Sequence, residues 1–99
     1  MSRPFSYNDE NFTVIGNMLI IHCKIPDELP LNSLITIVPP EILSRMTCQS
    51  FCALVQSTRS DIRKSITTPI TVIKNELRNY NNISIEDGIM FAFTSIKVD

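Results

Sequence analysis

The chain contains a single histidine, His22, and a cysteine follows it directly. An imidazole beside a thiol can form a nucleophilic pair or contribute two ligands to a metal ion. The surrounding residues are typical of a β-strand, however, and neighbouring side chains on a strand point to opposite faces. Without a bulge in the strand, His22 and Cys23 therefore cannot meet each other or bind a common metal ion. We expect no catalytic residue here, and we interpret His22 as a surface or interface residue.

The other two thiols, Cys48 and Cys52, are four residues apart and would share one face of a helix. Together with Cys23 they could supply three ligands to zinc. The close Cys-x-x-Cys spacing of zinc sites is absent, and no fourth ligand is evident. Cysteines are also common simply as small buried residues. We therefore expect no metal site. We also expect no cofactor, because the presence of only two glycines in the chain argues against a glycine-rich phosphate-binding loop.

Basic side chains in the second half of the chain suggest a different chemistry, the binding of phosphate groups. Between residues 59 and 78 only Asp61 and Glu76 oppose them. No aromatic residues for base stacking are interleaved, and no helix-turn-helix pattern is evident. Nucleic-acid binding is therefore the alternative hypothesis, with a solvated surface as the simpler interpretation. The five basic residues are Arg59, Arg63, Lys64, Lys74 and Arg78.

Two acidic pairs, Asp27–Glu28 and Glu86–Asp87, complete the candidates for chemistry. Both lie in predicted turns, where acidic residues are ordinary, and nothing pairs them as a general acid and a general base. The sequence shows no clustered polar set of the kind that an active site requires. We therefore predict that the protein is not an enzyme.

Composition narrows the class of protein. With 99 residues, 43% of them hydrophobic and fifteen of them isoleucine, the chain can bury one core, so we expect one domain over residues 1–99 with a loose segment at 1–10. The net charge of −1 indicates neither a nucleic-acid nor a membrane-surface protein. No apolar run is long enough to span a membrane, no signal peptide is evident, and the odd number of cysteines favours a reducing compartment. A soluble, cytoplasmic protein is expected.

A β-hairpin over residues 11–25 organises the predicted fold. Gly16–Asn17 separates two β-branched runs and suits a two-residue turn with positive φ at the glycine. In that register Ile15 lies opposite Met18. One face of the hairpin is then uniformly apolar and should be the core side, with Phe12, Val14, Leu19, Ile21, Cys23 and Ile25. The opposite face is mixed and would suit water or a partner; it carries Asn11, Thr13, Ile15, Met18, Ile20, His22 and Lys24.

Helices are predicted in the middle of the chain, between a third strand at 34–38 and a last strand at 89–98. Both faces of the last strand are apolar in its first half, which predicts a central position in the sheet at that end. Pro39–Pro40 suits a helix start, and the apolar residues from Glu41 to Val55 fit a broad helical stripe. The alternative is a short helix to Met46 followed by a strand over 51–55. Ser60 could cap a short helical turn through Lys64. Thr68–Pro69 then predicts another helix, whose apolar stripe consists of Ile70, Ile73, Leu77 and Tyr80.

The fold class expected from this order is α+β, with a small antiparallel sheet of about four strands and two or three helices packed on one face. Helices in so small a domain can hardly cover both sides of the sheet. A homodimer or a partner protein would bury the remaining apolar residues. The leading hypothesis is therefore a small non-enzymatic, regulatory or adaptor-like protein that binds itself or another protein. Its interface residues would be Ile15, Met18, Ile20 and His22.

Overall fold

The hairpin forms as the sequence predicts. In the computed structural model, which describes residues 4–98, Ile15 pairs with Met18 and each earlier pair follows in the expected register. Gly16 has a φ of 61°, a conformation that glycine adopts at no steric cost. All six residues of the predicted core face are buried. The local turn chemistry and the alternation of side chains are thus sufficient to define this element.

The hairpin belongs to one curled antiparallel sheet of eight strands. The elements are β1 (Tyr7–Asn8), β2 (Phe12–Ile15), β3 (Met18–Ile25), β4 (Leu34–Ile37), α1 (Pro40–Leu43), β5 (Ser50–Ser57), β6 (Ser65–Ile73), β7 (Glu76–Asn79) and β8 (Gly88–Ser95). The spatial order of the strands is β1-β2-β3-β8-β5-β6-β7-β4, so the last strand, β8, is central, as its apolar first half predicts. One edge strand, β4, curls round to lie near β3. One helical turn, α1, precedes β5.

The α+β prediction is wrong, because the protein is nearly all sheet. The sheet has eight strands instead of about four, and α1 is the only helix in residues 4–98. This helix is too short to cover a face of the sheet. No helix in the described part of the chain is long and apolar enough to cross a membrane.

The helix predicted from Glu41 to Val55 ends after one turn, at Leu43. The prolines do start it, but Ser50–Ser57 continues as β5, which matches the alternative interpretation of this segment. Ala53 and Val55 are buried while Leu54 between them is exposed, a period of two that only a strand gives. The reason is tertiary: β5 is hydrogen-bonded to β6 on one side and to β8 on the other.

The helix predicted after Thr68–Pro69 is also absent, and residues 65–79 form the β6–β7 hairpin. The predicted stripe fails because Ile73 and Tyr80 are exposed at 47% and 55%. Lys74, with φ of 58°, begins the turn between the strands. Pro69 is tolerated in β6 because it lies opposite the end of β7. Its carbonyl oxygen accepts a hydrogen bond from Tyr80 N–H, just past the end of β7. The hydrogen bond that a proline cannot donate is least costly at such a position.

The segment at Ser60–Lys64 is a loop between β5 and β6, so the short helical turn predicted there is wrong as well.

The core lies on the concave side of the curled sheet, where the inner residues of the central strands meet Ile42 of α1 and the chain around Ile83 and Ile85. Gly88 permits this close packing: a Cβ at this position would lie 2.9 Å from Ile85 Cγ2.

Candidate functional site

The convex, outer face of the sheet carries a continuous set of apolar side chains. Directly paired residues of an antiparallel sheet point to the same face, so the register places Ile20 beside Phe93 and His22 beside Phe91. Phe91 in turn lies beside Leu54 of β5. We call this set the outer patch; its seven members are Ile15, Met18, Ile20, His22, Leu54, Phe91 and Phe93.

The side chains of the outer patch are accessible although most are large and apolar. Ile15 is 63% exposed and Phe93 is 58% exposed, and Met18, Leu54 and Phe91 are also exposed. Single exposed apolar residues are normal, but neighbours on four adjacent strands form a contiguous patch. Beside it, Met18 and Phe93 line a shallow depression of about 220 Å³. The arrangement is therefore suited to contact with another apolar surface.

Charge is nearly absent from this face. On β3 only Lys24, at the end of the strand, carries a charge, and the outward residues of β8 from Ile89 to Ser95 carry none. On β5 the outward neighbours of Leu54 are Cys52 and Gln56, and neither is an acidic or a basic residue. An interface on this face would therefore require little desolvation of charged groups.

His22 lies at the border between the outer patch and a polar turn. It is partly buried, and its backbone N–H donates to the carbonyl oxygen of Asn11 at 2.9 Å. In the turn, Asp9 accepts the N–H groups of Asn11 and Phe12, each at 2.8 Å. Burial raises the pKa of the Asp9 carboxyl group, but these bonds, the Tyr7 hydroxyl and the nearby His22 outweigh it and leave the pKa below its usual value.

The four interface residues predicted from the sequence thus lie together on the outer face. Sequence reasoning did not single out Leu54, Phe91 and Phe93. Phe91 and Phe93 are two apart on a strand that was correctly placed at the centre of the sheet, which gave a signal that they share a face. Leu54 could not be included while its segment was interpreted as a helix.

The five basic residues of the alternative hypothesis fall into two groups. Arg59, Arg63 and Lys64 lie in the β5–β6 loop, around a depression of about 520 Å³. In this loop Arg59 is paired with Asp61 at 2.9 Å, and Lys64 Nζ donates to Ser84 O at 2.8 Å.

The second group lies at the other end of the nine-residue strand β6, roughly 30 Å away at the usual rise per residue. It consists of Lys74, in the β6–β7 turn, and Arg78, which is paired with Glu76 at 3.1 Å. The structure therefore does not bring the five residues into one surface.

The cysteines are also separated. Cys23 is buried on the core side, and burial raises the pKa of its thiol to about 11. Cys48 precedes β5, and Cys52 lies on the outer face one residue beyond the last β5–β8 pair, Ala53–Ala92. Among residues 4–98 no three His, Cys, Asp or Glu side chains are grouped as a metal site would require.

Comparisons with known proteins do not add to this description. No protein-family model matches the sequence, and searches of curated proteins and of solved structures also give no match. A functional conclusion must therefore come from the geometry of the chain itself.

Proposed function

We propose that this protein acts by protein–protein interaction, and that the outer patch is the surface with which it binds a second copy of itself. The protein is then a small, non-enzymatic, regulatory or adaptor-like component whose working form is a homodimer. The observation that carries the proposal is the contiguous set of exposed apolar side chains on four neighbouring strands, centred on Phe91 and Phe93.

A second copy is the favoured occupant because the face is compatible with itself. A twofold arrangement places the same patch on both sides of the interface. Two faces with few charges meet without opposing like charges, apart from Lys24 at the margin. Two sheets pack face to face about 10 Å apart with interdigitating side chains, so the dimer would be a sandwich with its inner layer made from two outer patches.

The size of the face indicates the strength of the dimer. Four strands about 5 Å apart, with at most about 20 Å of chain along each, give up to about 400 Å² of sheet on each copy. Two copies then bury up to roughly 800 Å² before the margins are counted, which is below the size of stable interfaces and in the range of weak, transient ones. A reversible, concentration-dependent dimer is expected in place of a permanent one.

The experiment that tests the proposal compares two lysine substitutions by sedimentation velocity over a concentration series. Ile20→Lys places a charge inside the outer patch and should leave a folded monomer. Ile37→Lys places the same charge on an exposed isoleucine of the edge strand β4, outside the patch, and should leave the dimer intact. Circular dichroism establishes that both variants are folded.

Two outcomes would overturn the proposal. Equal loss of the dimer in both variants would mean that the outer patch is not the interface. If Ile20→Lys unfolded the chain, this face would be part of the core. Nucleic-acid binding remains the alternative for function, and in the structure the partly neutralised and divided basic residues give it less support than the outer patch gives to self-association.

A further inference from the structure

We infer that the dimer is sensitive to pH, and that protonation of His22 within the outer patch favours the monomer. This inference rests on the proposed self-association and adds its regulation. His22 is the only histidine in the chain. Histidine is the side chain that ordinarily changes its charge between pH 5 and 8, so an interface that contains one can respond to pH.

The neighbours of His22 on the sheet surface are mainly apolar. Ile20 precedes it by two residues on the same face of β3, and Phe91 lies directly opposite on β8. Ile89 and Phe93 are the diagonal neighbours on β8, and none of these three β8 residues can be charged. An imidazole at this position would be covered by the apolar face of the second copy, where a neutral ring is tolerated and a cation is not.

Three charged residues lie on this part of β3 or in the turn beside it. Lys24 is on the same face of β3 and opposes a second positive charge. Glu10 is exposed, in the turn that precedes β2. From the same turn Asp9 attracts a charged imidazole, and the interaction lowers the pKa of its carboxyl group.

Asp9 can offset only part of the cost of burying the charge. Its carboxylate already accepts three hydrogen bonds, from the N–H groups of Asn11 and Phe12 and from the Tyr7 hydroxyl at 3.0 Å. These bonds hold the carboxylate in the turn, at the margin of the face. Toward β8 and β5 the ring meets Phe91 and then Leu54, so a charge there would enter an apolar interface.

The direction and size of the pH effect on the dissociation constant follow from the coupling between proton binding and dimerisation. If the dimer accepts only the neutral imidazole, it binds fewer protons than two monomers do, and association weakens as the pH falls. Each dimer contains two copies of His22, so the dissociation constant should rise at least about tenfold between about pH 7.5 and about pH 5.5.

The experiment measures the dissociation constant of the dimer by sedimentation equilibrium at both pH values for three chains. The natural chain should show the large increase at low pH. His22→Gln keeps a polar side chain that does not titrate in this range, and its ratio of the two constants should fall to near one. His22→Lys has a permanent charge and should be largely monomeric at both pH values. Far-UV circular dichroism at each pH checks the fold.

The outcomes separate this inference from the proposed function. A dimer that is equally stable at both pH values overturns the role of His22 and leaves the dimer proposal standing. A pH-dependent dimer in which His22→Gln keeps the full dependence also overturns it, because another group must then titrate. A monomer at neutral pH and high concentration contradicts the proposed function itself.

Discussion

Replacement of Phe93 by threonine should weaken the dimer strongly while leaving the monomer folded. Phe93 is 58% exposed on the central strand β8, next to Ile20 of β3. Threonine is chosen because a β-branched residue retains the preference for a strand, so the substitution mainly removes the aromatic ring.

The magnitude follows from the exposed area of the side chain. A phenylalanine side chain has roughly 200 Å² to bury, so about 100 Å² of Phe93 is accessible in each monomer. At about 25 cal/mol per Å² this gives about 2.5 kcal/mol per copy and about 5 kcal/mol per dimer as an upper bound. If half of that is realised, the dissociation constant rises about 60-fold.

Sedimentation velocity over a concentration series measures this change. The matched control is Leu31→Thr, because Leu31 is an apolar residue of nearly equal exposure, 57%, that lies in the loop before β4 and not on the outer patch. The control should keep the natural dissociation constant. Urea unfolding should place both variants within about 1 kcal/mol of the natural monomer. A folded Phe93→Thr variant that dimerises as tightly as the natural chain would refute the reasoning.

Three further predictions test other parts of the structure. Asn79→Ala should reduce the free energy of unfolding by about 2–4 kcal/mol in urea denaturation, because the buried Asn79 amide makes three hydrogen bonds to backbone groups that would lose their partner; a loss below about 1 kcal/mol would contradict this. In thiol labelling, Cys52 should react more slowly as the dimer forms, and Cys23 should react only on unfolding, since it is buried and its pKa is raised; a Cys52 rate independent of protein concentration would count against the interface. Reversing the charges of Arg63 and Lys74 to glutamate should leave the sedimentation of the dimer unchanged, and the same variant tests nucleic-acid binding by fluorescence anisotropy, which it should abolish if that hypothesis holds.

The hairpin and the central position of β8 could be predicted because local signals determine them. Gly16 provides the positive φ of the turn, and the register that this turn sets places Leu19, Ile21, Cys23 and Ile25 on one uniformly apolar face. These signals depend on neighbours in the sequence, so no knowledge of the tertiary structure was needed. They also gave four of the seven outer-patch residues.

The middle of the chain could not be predicted in the same way. The stripe from Ile70 to Tyr80 fits a helical period, but Val72, which the stripe omits, is buried, and Ile73, which it includes, is exposed. Short apolar runs are compatible with both periods, and the choice is made by strand partners that are distant in sequence. The turn at Lys74 could not be recognised from the residue types, because lysine is uncommon at positive φ. With β5 interpreted as a helix, Leu54 could not be placed beside Phe91.

The central claim is tested most directly by the mass of the natural chain in solution. Sedimentation equilibrium at neutral pH, over a concentration series and at low and high salt, reports the mass relative to the 11.2 kDa monomer. An interface that is apolar and nearly uncharged predicts a rise to twice the monomer mass with increasing concentration, and the same midpoint at both salt levels. A monomer mass at all concentrations would contradict self-association, and a dimer that dissociates in high salt would place the interface on charged residues outside the outer patch.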